Sequence, residues 1–164
     1  MSFEKFLAHV RSKSLARQNR FEVIIPFGDS QLTSLMCHSV SIPSQFAVTD
    51  TNNMFGISRD HVWMKNVNQV VMRFYMDTDL KVKKTFDDWL KLIQNPNNGI
   101  LEYYSKYTRD VTVKVLDIND KVRNEITMYE AYPRNVEGDT LNARANGIAE
   151  LVVTFNFRYY MNKK

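Results

Sequence analysis

Hydrophobic and polar residues alternate most cleanly near the C-terminal end of the chain. There Leu151, Val153, Phe155, Phe157 and Tyr159 interleave with Glu150, Thr154, Asn156 and Arg158, and only Val152 interrupts the polar face. A period of two over that length predicts an antiparallel strand with one face buried. The same period in "VTVKVLD" (111–117), the turn residues "INDK" (118–121) and the run 122–132 predict a hairpin. Earlier strands are predicted over "FEVIIPF" (21–27), "QLTSLMCHSV" (31–40), 61–66 and 68–77. Pro26 places the first of these at an edge or bulge.

The period changes to helical in two places. Val82, Phe86, Trp89, Leu90 and Ile93 form one stripe at helical spacing between Asp77–Asp79, which offer caps, and the terminator "NPNNG", so a helix is predicted over about 80–94. Asp87 and Asp88 are read as lying near its start. Phe3, Phe6, Leu7 and Val10 predict a short N-terminal helix with Ser2 as its cap, too short to stand without a partner. Residues 41–60 show no period and are expected to be a long loop, with Phe46, Met54 and Phe55 as unusual apolar cargo. Residues 133–147 read as a second loop region. The expected class is mainly β: an antiparallel sandwich or barrel of about seven or eight strands, with one helix flat on a sheet face.

Composition changes this picture little, and charge changes it more. A chain of 164 residues with 44% hydrophobic and 24% charged content fits one domain, residues 1–164, with a real core. No stretch is apolar enough to span a membrane, and the N-terminus is too polar for a secretory signal. The net charge of +4 sits wholly in residues 1–20, where Lys5, Arg11, Lys13, Arg17 and Arg20 face only Glu4. That basic arm on a neutral body could grip phosphate or dock on an acidic surface.

Candidate chemistry is sparse. His9, His38 and His61 fall on different elements without metal-ligand spacing. Cys37 is the sole cysteine; on a strand its side chain points away from that of His38, so it reads as structural. There is no phosphate loop or dinucleotide fingerprint. No catalytic residue, metal ligand or cofactor is assigned, and no enzyme activity is expected. Phe155, Phe157 and Tyr159 share a face with no basic residue, which reads as core and not as a stacking platform.

Long strands have edges that must be closed, and pairing them between copies makes rings that can stack. At this point the order of "ARQNRFEVII", "SVSIPS", "FDDWLKLI", "MYEAYPRNV" and "AELVVTFNFRYY" resembles the tail tube proteins of contractile-tailed, T-even-type bacteriophages, over roughly residues 15–160. The resemblance implies hexameric rings stacked into a hollow virion tail tube, assembled in the host cytoplasm. Inner sheets merge around a lumen that passes DNA without sequence-specific binding. The implied partners are further copies of the chain, a sheath protein, the baseplate or initiator, and a tape-measure protein. Periodicity already places Phe86, Trp89, Leu90, Ile93, Phe155 and Phe157 in the core; the resemblance implies helix-on-sheet packing for Phe86, Trp89 and Leu90, and a corner at Ala131, Tyr132 and Pro133 where Pro133 stops the ladder. It also implies contacts between subunits or rings at Arg17, Asn19 and Phe21, to which the apolar Phe3, Phe6, Leu7, Phe46, Met54 and Phe55 are added. A tube initiator or baseplate-junction paralogue, a bacterial injection-system tube, and a monomeric nucleic-acid-binding β-domain using residues 1–20 stay open as alternatives.

Overall fold

The computed structural model describes residues 3–5, 7, 17–52, 56, 58–96, 99–144 and 146–163. The described residues form nine strands: β1 (Phe21–Ile24), β2 (Cys37–Val40), β3 (Gln45–Asn52), β4 (Arg59–Val67), β5 (Val70–Tyr75), β6 (Arg109–Leu116), β7 (Val122–Gly138), β8 (Glu150–Asn156) and β9 (Tyr159–Lys163). Beyond the N-terminal segment there are three helices: α1 (Ser30–Met36), α2 (Lys81–Ile93) and α3 (Tyr104–Tyr107). The mainly β, antiparallel class is confirmed, with more elements than the sequence predicted.

The sheet runs in the order β1-β6-β7-β8-β5-β2, and β9 also pairs with β7. The 17-residue β7 is what folds it. Its first half pairs with β6 and β9, and from Tyr132 onward it pairs with β8. Between these halves Glu130 takes a left-handed φ of 54°, a cost of about 1–2 kcal/mol for a residue with a Cβ. Asp110 Oδ1 accepts the Glu130 N–H at 3.1 Å, Arg158 Nη1 donates to Glu130 Oε1 at 3.0 Å, and the Arg158 N–H donates to the Tyr129 carbonyl at 3.1 Å. The expected corner is therefore real, but it lies at Glu130. Pro133 does not stop the ladder: it faces Phe155 within β7, next to a register shift before Asn135.

The chain also switches half-sheets at Phe157–Arg158, so the predicted single strand 150–159 is two, β8 and β9. Thr112 and Lys114 on β6 accordingly lie in the other half-sheet from Glu150, Thr154 and Asn156 on β8.

The core fills the space between the halves. Val23, Val111, Val113 and Met128 come from one side; Val70, Met72, Phe74, Leu151, Val153 and Phe155 come from the other. Helix α2 adds Val82, Phe86 and Trp89, all fully buried. The Phe86 ring lies 5.0 Å from Phe74 and 6.1 Å from Phe155, and Trp89 stacks on Phe27 at 4.7 Å. Asp87 and Asp88 sit in the middle of α2, paired with Lys83 and Lys91 one turn away, and have no role at a helix start. Of the expected caps, Asp77 accepts a helix N–H, with Oδ1 3.3 Å from the Val82 N–H, while Asp79 pairs with the Lys81 side chain at 3.0 Å; the cap position itself is Leu80 at a left-handed φ of 53°.

Residues 31–36, predicted as strand, are helix. Asp29 accepts the N–H groups of Gln31 and Leu32 at 3.1 Å each, which is an N-cap, and Leu32 and Met36, one turn apart, pack on the core. Gly28 precedes that cap at a φ of +62°, and a Cβ built there would stand 2.6 Å from the Thr85 methyl on α2. Gly28→Ala is expected to cost about 2–4 kcal/mol in urea unfolding, from backbone strain plus overpacking. Adding Thr85→Ala should return the packing share and leave the strain.

Candidate assembly surfaces

β2 and β5 are antiparallel neighbours, and their ribbon continues outward as β3 and β4. Ser41 and Val71, then Ser44 and Asn68, bridge the junction: Ser41 N–H to the Val71 carbonyl at 2.9 Å, Asn68 N–H to the Ser44 carbonyl at 3.0 Å, and Asn68 Nδ2 to Ser44 Oγ at 2.7 Å. The outer hairpin, eight residues of β3 against nine of β4, forms its own two-stranded sheet. At about 3.3 Å per residue it is an arm of about 26 Å. Residues 45–52, expected as loop, are thus half of a regular hairpin.

The register places Phe46, Val48 and Met64 on one face of the arm, and Ala47, Thr49 and Val62 on the other. A bulge between Val48 and Thr49 leaves Trp63 as the extra residue. Phe46, Val62, Trp63 and Met64 are all exposed, Trp63 by 75%. A lone hairpin is marginal in water, and exposed aromatic and aliphatic side chains on both faces mark it as a surface meant to be covered.

The sandwich has an open seam between two of its edge strands, β1 and β2. A groove of about 570 Å³ runs there, lined by Phe21, Val40, Ile42, Val113 and Val115 together with the polar Arg17, Asn19 and Arg20. Arg20 is held by Asp120 at 2.6 Å. On the β2 wall, the His38 ring stacks on Tyr75 at 4.2 Å, and its Nε2, which has no hydrogen-bond partner, lies 3.6 Å from Glu150 Oε1. Beside it, burial pushes the Cys37 thiol up to about 12, against a smaller opposing effect of the Ser39 backbone. The contribution of a neutral thiol is intact below the ordinary cysteine pKa and fades as pH rises toward 12. Folded protein at pH 8 is therefore expected to alkylate at Cys37 at least tenfold more slowly than protein unfolded in urea, as read by mass spectrometry.

A third surface surrounds the corner. Tyr104, Tyr107 and Tyr132 meet edge to face at 5.5–6.3 Å, and Tyr104, Ser105, Thr108, Glu130 and Arg158 line an open pocket. Burial, then the nearby Glu130 carboxylate, raises the Tyr104 pKa, so the phenol stays neutral. Ile100, Leu101 and Tyr103 extend the exposed apolar area.

Of the residues singled out from sequence, Arg17, Asn19 and Phe21 lie together at the groove and Phe46 lies on the arm. Phe3 is helical and 71% exposed, and Leu7 is helical and half-buried. Phe6, Met54 and Phe55 fall outside the described residues, as do Arg11 and Lys13 of the basic segment. Phe86, Trp89, Pro133, Phe155 and Phe157 are buried, and Leu90, Ile93 and Tyr132 are half-buried. Sequence reading missed Val62, Trp63 and Met64; a run of three apolar residues in a strand reads as interior, and only its lack of polar alternation hinted otherwise. Among the described residues no three metal-binding side chains cluster, and no helix is long and apolar enough to cross a membrane.

A twisted β-sandwich with a projecting hairpin, an open seam and no chemical centre among its described residues is a subunit type suited to assembly. The chain belongs to the phage tail tube protein family, whose model matches residues 8–163. Its fold is shared by chains in contractile injection machines. A chain of the sheath and tube terminator of the extracellular contractile injection system PVC, in the extended state, is similar at a TM-score of 0.68 and 16% identity, covering 93% of this chain and 99% of that one. A chain of the anti-feeding prophage baseplate gives 0.67 and 14%, covering 92% and 97%. One of the PVC sheath–tube complex gives 0.65 and 16%, covering 99% and 98%. No curated protein matches.

Proposed function

We propose that this chain is a structural subunit that forms hexameric rings, and that these rings stack into the hollow tail tube of a phage-like particle through which DNA passes. The supporting observation is the arm: a regular hairpin with apolar side chains on both faces and, among the described residues, no third strand beside it. A monomer has no use for such an arm, whereas a tube of identical subunits covers it with the next copy. The whole chain acts as one unit, with residues 1–20 as its basic segment, of which Arg17 and Arg20 line the groove. The neutral remainder suits a lumen that must release phosphate. Sheath, baseplate or initiator, and tape-measure proteins are the implied neighbours, in the virion tail assembled in a host cytoplasm. The role is geometric and not enzymatic.

Sedimentation velocity at rising protein concentration tests this reading. A shift from the 19.3 kDa monomer to a discrete sixfold species and then to polymers supports it. A monomer that persists at every concentration contradicts it.

A further inference from the structure

Resting on the tube reading, we propose that Trp63 of one copy inserts into the β1–β2 seam groove of a second copy, as the anchor of the contact between subunits. Two features that no described residue covers are complementary. One is convex: the bulge of the arm carries Trp63, 75% exposed, with Val62 beside it. The other is concave: the groove of about 570 Å³ between two strand edges is lined by the half-buried Phe21, Val40 and Val115 and by the buried Val113. That volume accepts an indole ring with its neighbouring valine.

Charge agrees with shape. Asp60 lies three residues before Trp63 on β4 and Lys65 two residues after it, so the arm carries one charge of each sign beside the indole, and Arg17 in the groove lining can pair with the aspartate. A desolvated tryptophan in an apolar pocket is the composition of an interface hot spot. The indole N–H remains free to donate to an unpaired edge carbonyl of β1 or β2.

The occupant is a second copy and not the chain's own arm. Ile42 in the groove wall stands three residues before β3, yet no described residue of the arm lines the groove, so the arm does not fill its own groove. Knob and hole on different surfaces make a heterologous contact, which propagates into rings or stacks and does not close a dimer.

The test mixes two single-cysteine variants, Trp63→Cys and Val115→Cys, each in a Cys37→Ala background. They are co-assembled and oxidised with copper phenanthroline under air. Particles containing both are expected to yield a disulfide-linked mixed dimer, with none from either variant alone. Particles that contain both variants but no mixed dimer overturn the proposal while leaving the tube reading standing. A dimer from Trp63→Cys alone also overturns it, because that signals arm-to-arm contact. If Trp63→Cys stays out of the particles, Thr49→Cys, opposite Val62 on the same face, takes its place under the same criteria. Wild-type protein that forms no particles at any concentration sinks the tube reading and this proposal together.

Discussion

Trp89→Ala is expected to remove about 3–5 kcal/mol of folding stability, a large part of what a domain this size holds. The indole is fully buried, stacks on Phe27 at 4.7 Å and meets Phe155 at 6.0 Å. Its N–H donates to the Tyr107 carbonyl at 2.7 Å. Four elements meet on this ring: helix α2, the segment after β1, strand β8, and the short helix α3. The alanine therefore leaves a cavity and also frees α3. Trp89→Phe separates the contributions: it fills most of the volume and loses the hydrogen bond, for about 1–2 kcal/mol. Urea unfolding below the assembly concentration measures both. A Trp89→Ala protein as stable as wild type would show that α2 is not anchored by this residue.

Removing the arm is expected to have the largest effect on assembly and a small one on folding. Ser44 and Asn68 are hydrogen-bonded to each other at the arm's root, so a two-residue Asn-Gly turn between them closes the ribbon in place of residues 45–67. None of the arm's residues through Asn66 belongs to the core; Val67 alone packs at its margin. The shortened chain should melt within a few degrees of the parent. Its concentration for assembly should rise at least about tenfold, equivalent to about 1.4 kcal/mol per contact. A shortened chain that assembles as well as the parent would mean the arm is dispensable.

The parts of the fold that were legible in sequence are those where one face is buried and the other wet. β6, β8 and α2 each press one side on a common core, and burial of one side is what writes a period into a sequence. The arm was illegible for the same reason. Neither of its faces is buried within the subunit, so Gln45–Asn52 carries no alternation and reads as loop, while Val62–Met64 reads as interior. Helix α1 is seven residues long, too short to display a period, and only Asp29 ahead of Leu32 and Met36 marked it. The switch from β8 to β9 was hidden because Phe155 and Phe157 both face the shared core across the bend. The groove could not be read at all. Phe21, Val40 and Val115 are distant in sequence, and only the pairing of β1 with β6 and of β2 with β5 brings their edges face to face.

The central claim is that the described surfaces exist to join copies of this chain. Negative-stain electron microscopy of the purified protein over rising concentration tests it most directly. Rings with a central hole, lengthening into tubes as concentration rises, are the predicted result. Small solid particles at every concentration, with the arm intact, would contradict it.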